Sequence, residues 1–212
     1  LELRRRVLEA CDAAGWLRDG AAALDGVATP GARVDAYDDP RMLGFQREVM
    51  LLDDLLGLRC HPAILSVLDA LFGAPADPTL GDVPRVAFPR APDLTTPPHQ
   101  DHYYVAGETD LWTVWIPLGD CPRALGVLSL VPGSHRGGLL PHPPVGVATE
   151  GAAVPEDSVW AAGDLAGGDV VMFHCLTVHA ACENVTDRLR LSIDFRYRPA
   201  RPRPPAPFVA AR

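Results

Sequence analysis

Residues 188–198 alternate without a break. Arg188, Arg190, Ser192, Asp194, Arg196 and Arg198 share one parity; Leu189, Leu191, Ile193, Phe195 and Tyr197 share the other. A period of two marks a strand with one polar and one apolar face. The polar face can lie in water, or it can line a cavity while the apolar face is covered by other elements. The first part of the chain offers such a cover. Residues 2–18 place Leu3, Val7, Leu8, Cys11 and Ala14 at helical spacing, although Gly15 weakens the last turn. Residues 45–58 predict a second helix burying Val49, Leu52, Leu55 and Leu56. Pro62 opens a third, with Ile64, Leu65, Leu68, Leu71 and Phe72 inward and Gly73 as its stop. Three amphipathic helices need a surface to cover, which favours the cavity arrangement. An inward Arg then needs an anionic partner, because an unpaired buried charge is costly. A ligand carboxylate held by Arg190, with Ser192 beside it, meets that need.

Residues 19–40 are rich in Gly, Ala, Asp and Pro and predict a loop. After Pro75 the runs 85–89, 111–118, 126–131, 169–173, 177–181 and 189–197 are apolar and separated by turn signals. That pattern predicts a β-sandwich or barrel rather than alternating β-α units. Residues 137–168, rich in Pro, Gly and Ala, predict a lid-like loop. We expect a fraying tail from Pro199. The expected organisation is a single domain over 1–212, with 1–75 as helical support and 76–198 as the β core. The sequence opens within a helical pattern, so we expect further residues upstream.

Composition excludes several chemistries. Among 212 residues there are 19 Arg and no Lys. Schiff-base mechanisms, pyridoxal-phosphate anchoring and Walker A loops all need Lys. The net charge of −8 argues against a nucleic-acid partner. No run of 18 or more apolar residues occurs, so no membrane span is expected. Five Cys, an odd number without a C-x-x-C, predict reduced thiols and a cytoplasmic protein. Asn184-Val185-Thr186 matches a glycosylation sequon but reads better as a turn before the last strand.

His99-Gln100-Asp101 places an imidazole and a carboxylate two residues apart. Pro97-Pro98 stiffens the approach, and Tyr103-Tyr104-Val105 predicts a strand behind it. Alone, the tripeptide is as often a surface turn. His179 lies in an apolar run where a core histidine is the commoner role. His174 is the rival ligand, and Cys175, His179 and Cys182 leave a zinc reading open, without the usual spacing. Taken together, His99, Asp101 and His179 form a two-His, one-carboxylate set with open positions. Such a set points to non-haem Fe(II) that activates O2. A 2-oxoglutarate could fill two positions and extend its far carboxylate to Arg190.

The ordered set His99-Gln100-Asp101, Trp115-Ile116-Pro117-Leu118, Pro132-Gly133-Ser134-His135, residues 168–174, His179, Asn184 and Arg190 resembles the phytanoyl-CoA dioxygenase family over residues 45–198. The resemblance implies a mainly β fold, a double-stranded β-helix (jelly-roll, cupin-like) barrel with helices packed on one sheet. It implies Fe(II) at His99, Asp101 and His179, and 2-oxoglutarate at Arg190, with Arg188 as the fallback. Trp115 and Gln100 match positions flanking the cosubstrate, and the turn at Pro132 to His135 reads as structural. The family's usual N-terminal strand is missing or truncated in this sequence.

The expected function is a 2-oxoglutarate-dependent hydroxylase of a small, secondary-metabolite-like molecule, with succinate and CO2 as co-products. Phe88, His102, Tyr104, His142 and Trp160 are the candidate substrate contacts. Desaturation, epoxidation or ring rearrangement at the same site stay open, as does a non-catalytic jelly-roll binding protein. A halogenase is disfavoured because Asp101 is present, and a cupin-type isomerase would leave Arg190 and Ser192 unexplained.

Overall fold

The computed structural model describes residues 1–20, 24–36, 38–79, 81–105, 109–144 and 151–200. Four helices come first: α1 (Glu2–Ala13), α2 (Pro40–Met50), α3 (Asp53–Arg59) and α4 (Pro62–Phe72). Strands β1 (Ala76–Pro78) and β2 (Val83–Ala87) follow, then a one-turn helix α5 (Asp101–Tyr104). Strands β3 (Trp112–Pro117), β4 (Leu128–Leu130), β5 (Val171–His174), β6 (His179–Ala181) and β7 (Arg190–Pro199) complete the order.

The larger sheet is antiparallel and centred on β7. Strand β3 pairs with one edge of β7 and carries β5 beyond it; β1 and β2 share the other edge. The second sheet pairs β4 with β6. Phe173 of β5 meets His179 of β6 in a tilted ring contact with centroids 4.5 Å apart, so the two sheets face each other. Trp115, Phe173, Val127 and Cys121 fill the space between them. These are the two layers of a jelly roll; among the described residues their strand pairing does not close into a continuous barrel.

Strand β7 is buried on both faces. Its apolar residues Leu191, Ile193, Phe195 and Tyr197 pack with Val7, Phe45, Val49 and Leu68 of the helices. The helices therefore cover the apolar face, and the polar parity of β7 turns towards the smaller sheet.

The helices depart from the sequence expectation in identifiable ways. Helix α1 stops at Ala13 rather than 18, because Gly15 adopts a left-handed φ of 75°. The single helix expected over 45–58 is two. Asp39 caps α2, accepting from Arg41 N at 2.8 Å, with Pro40 in the first turn. Extended backbone at Leu52 then restarts the chain as α3, with Asp53 and Asp54 at its positive end. The break rotates Leu56 outward, leaving it 59% exposed. In α4, Ile64 and Leu68 are buried, but Leu71 is 48% exposed because it falls off the narrow contact stripe. The break at Cys60 and His61 also keeps the apolar stretch 53–72 in pieces of 7 and 11 residues. Each is short of the roughly 20 residues that cross a bilayer. We expect Asp39→Ala to lower the urea midpoint through loss of the cap; an unchanged midpoint would refute the cap.

The tail is also ordered further than expected. Pro199 pairs with Ala76, and Ala200 N donates to Pro75 O at 2.8 Å. Residues 201–212, which carry the rest of the expected tail, lie outside the described residues.

Candidate metal centre

His99 and His179 come together through backbone pairing. His99 N donates to His179 O at 2.9 Å, and His179 N donates to His99 O at 3.0 Å. This is a hydrogen-bonded antiparallel pair, in which opposed residues point to the same face. The two rings lie 4.0 Å apart between centroids. Asp101 arrives two residues later, on α5 rather than on the strand expected from Tyr103-Tyr104-Val105. Tyr103 N donates to Gln100 O and Val105 N to Asp101 O, so local bonds close a helical turn and override the β propensity of those side chains.

Nε2 of His99 and Nε2 of His179 each lie 3.8 Å from Asp101 Oδ1. All three residues are buried. Their donor atoms fall within 4.8 Å of one another, the one such group among the described residues. Nδ1 of His99 is 2.9 Å from Pro97 O, and Nδ1 of His179 is 2.9 Å from Thr177 O. Each carbonyl can accept only if that ring nitrogen carries the proton, so both Nε2 lone pairs turn towards the carboxylate. The donor set therefore fits a divalent transition metal.

Burial holds both imidazoles neutral. It lowers His99 to about 3, helped by the neighbouring His179, and it lowers His179 as well. For Asp101, burial alone would raise the carboxyl. His179, Arg196 and His99 and the Thr113 hydroxyl outweigh it and hold the group below the usual carboxylate range. Because the imidazoles are neutral, the charge that persists beside Asp101 at neutral pH is Arg196. Metal-free protein should thus lose stability in acid. Between about 6.5 and about 3 the unfolded state binds the His99 proton and the folded state does not. The His99 contribution is complete above 6.5 and should fall by about 1.4 kcal/mol per pH unit as the pH drops through that window, with His179 acting in the same direction. Urea unfolding from pH 6.5 to 5, with His99→Phe as the reference, should show a shallower slope in the variant; equal slopes would refute the assignment.

Arg190 shares a narrow cavity with the two histidines, Trp115, Phe173 and Asp194. Its Nε donates to Gly126 O at 3.1 Å and its Nη1 to Ser192 Oγ; its Cζ sits 5.6 Å from the Trp115 ring centre. Arg188 is exposed and precedes β7. Next along the polar face, Asp194 pairs with Arg85 at 2.6 Å and Arg196 with Asp101 at 3.0 Å.

The other expected residues divide. Gln100 is 0% exposed, and its amide is taken by backbone: Nε2 donates to Gly138 O and Leu176 O, and Oε1 accepts from Leu140 N. It fastens the segment at 138–140 instead of facing the cavity. His142 accepts from Gln100 N at 3.0 Å and stacks on Tyr103 at 4.5 Å. Phe88 packs edge-on against Trp16 in the helix-side core, which takes it away from any substrate. His102 donates its N–H to Cys175 O. Tyr104 is exposed and lies edge-on to His99 at 5.7 Å. Trp160 lines a cavity of about 500 Å³ with Thr96, Pro97, Ala180 and Ala181, and three of these, Thr96, Ala180 and Ala181, also line the narrow cavity. His174 lies apart from the cluster, its Nδ1 accepting from Leu176 N. Cys175 and Cys182 are free thiols, and neither is in the donor group.

The expected lid is tethered on both sides of residues 145–150, which lie outside the described residues. Ala152 N donates to Pro98 O at 2.7 Å and Ala153 N to Pro141 O at 2.9 Å. The residues that sequence reasoning missed are Thr113, Arg85 and Arg196. For Arg196 the signal was available, because it shares parity with Arg190.

The profile of the family described as phytanoyl-CoA dioxygenase matches residues 4–192. A 1-deoxypentalenic acid 11-beta-hydroxylase of Streptomyces arenae is 30% identical over 199 residues, covering 82% of this chain and 68% of the hydroxylase. The non-heme alpha ketoglutarate dependent epimerase SnoN from nogalamycin biosynthesis is 31% identical with a TM-score of 0.58. That match covers 71% of this chain and 60% of SnoN. A second SnoN structure, in complex with Fe3+, alpha ketoglutarate and nogalamycin RO, is 27% identical with a TM-score of 0.59, covering 77% and 69%. The chain thus spans between 60% and 69% of the length of these relatives.

Proposed function

This chain belongs to the phytanoyl-CoA dioxygenase family, and on that premise we propose that it is an Fe(II)- and 2-oxoglutarate-dependent oxygenase that hydroxylates a small, natural-product-like molecule. One observation carries the reading: three buried donors, His99, Asp101 and His179, converge on one point, with Arg190 in the same cavity. Two similar proteins support it: one is a hydroxylase of 1-deoxypentalenic acid, and the other, SnoN, is seen in complex with Fe3+ and alpha ketoglutarate.

In this reading His99, Asp101 and His179 hold the iron. With 2-oxoglutarate and O2, bound iron supplies the oxidising power to cleave a C–H bond, leaving succinate and CO2 as co-products. Arg190 and Ser192 receive the far carboxylate of 2-oxoglutarate, and Trp115 walls that pocket. The neighbouring cavity at Trp160 takes the substrate; at about 500 Å³ it suits a compact organic molecule. Among the described residues its one charged lining residue is Asp93, which is paired with Arg33, and no cation lines it. A neutral or weakly charged substrate fits that lining better than a coenzyme A thioester. The chain over 1–212 acts as one oxygenase domain, the helices backing β7 while its polar face serves the site. All five cysteines are free, which suits a reducing compartment such as the cytoplasm.

The test is anaerobic reconstitution with Fe(II), then addition of 2-oxoglutarate, O2 and candidate substrates. Succinate formed together with an oxygenated neutral compound supports the proposal. Stimulation by coenzyme A esters alone would refute the substrate class. A product rearranged or epimerised without gaining oxygen would favour a second outcome at the same site, to which the likeness to the epimerase SnoN points.

A further inference from the structure

Asp101 is held at both oxygens. Oδ1 accepts from Arg196 Nη2 at 3.0 Å, and Oδ2 accepts the Thr113 hydroxyl. Thr113 and Arg196 are cross-strand partners in the β3–β7 register, and both are buried. Arg196 is fixed in turn by Gly81 O, 2.6 Å from Nη1. The oxygen that faces the two Nε2 atoms at 3.8 Å is Oδ1. Oδ2 is turned away and satisfied by the hydroxyl.

We propose that Thr113, with Arg196, is a positioning residue that confines Asp101 to one metal-binding oxygen. The inference rests on the oxygenase reading above. An octahedral ion with three protein donors keeps three open positions. A chelating 2-oxo acid takes two, and the last is left for oxygen. A carboxylate is free to bind through one oxygen or both, and binding through both would consume one of those positions. A charge-assisted hydrogen bond from Thr113 to Oδ2 opposes that swing. The arrangement also explains why a neutral hydroxyl, rather than a second cation, meets Oδ2: Arg196 already balances the carboxylate charge.

The experiment compares native protein with Thr113→Val, which removes the donor and keeps the shape. Thr113→Ser restores the donor, and Thr113→Ala repeats the loss with a smaller side chain. Fe(II) affinity is measured anaerobically by equilibrium titration. Affinity for 2-oxoglutarate is then read from the charge-transfer absorption of the chelate, without turnover. In Thr113→Val and Thr113→Ala we expect Fe(II) affinity to stay within about threefold and 2-oxoglutarate affinity to weaken about tenfold, the scale of one hydrogen bond to a charged group. Thr113→Ser should recover most of the loss. Native-like 2-oxoglutarate affinity in Thr113→Val overturns the inference and leaves the oxygenase reading standing. Parallel loss of Fe(II) and 2-oxoglutarate affinity also overturns it, because that is the mark of general damage to the site. Native protein that binds no Fe(II) overturns both.

Discussion

Asp101→Ala is expected to abolish succinate formation and to leave protein that binds no Fe(II) at concentrations saturating the native form. The carboxylate is the only anionic donor in the cluster, and the two imidazoles beside it are neutral. Without it the site offers two neutral nitrogens, a poor match for a divalent cation. The substitution also strands Arg196, whose guanidinium is buried against Asp101. Removing one partner of a buried pair costs about 3–5 kcal/mol, so the variant should unfold at lower urea as well. Asp101→Asn separates the two effects, since it preserves shape and keeps one oxygen to accept from Arg196, while its amide nitrogen can only donate to the Thr113 hydroxyl oxygen and the donor charge is removed. Activity should vanish in both variants, and the stability loss should be smaller in Asn. His174→Ala should keep its metal. Metal retained by Asp101→Ala and lost by His174→Ala would overturn the ligand set.

The second large effect is expected at Arg190. Arg190→Ala should raise the apparent 2-oxoglutarate requirement on the order of 10²-fold, from losing a desolvated charge-assisted pair of roughly 3 kcal/mol. The guanidinium is buried, oriented by Gly126 O and Ser192 Oγ, and flanked by Trp115. Its orientation is thus set before a ligand arrives, which reduces the entropy lost on binding. Arg188→Ala serves as the control, because Arg188 is exposed. Steady-state kinetics varying 2-oxoglutarate would read the difference. A native requirement in Arg190→Ala together with a large loss in Arg188→Ala would transfer the role to Arg188.

Strand β7 was readable because its period of two extends over ten residues and both faces have distinct chemistry. The helix stop at Gly73 was readable because left-handed backbone has a residue preference, whereas Gly15 reads only as weakening a helix that in fact ends at Ala13. The break between α2 and α3 was not readable, since Leu51 and Leu52 are good helix formers and nothing local marks the extended backbone that Leu52 adopts. The Asp101 grip was hidden for another reason. Parity placed Arg196 on the face of Arg190, but only strand register brings Thr113 opposite Arg196. Register between distant strands is a property of the whole sheet. Gln100 illustrates the converse: proximity to the ligands suggested a cofactor contact, while its amide is spent on the chain that crosses beside it.

The reciprocal backbone bonds between residues 99 and 179 also have a kinetic meaning. These residues are separated by most of the β core, so their pairing closes a long loop and must wait for the intervening chain to collapse. The donor cluster should therefore be absent from the folding transition state. An ion bound there would act as a late staple: it would slow unfolding, while leaving the refolding rate nearly unchanged.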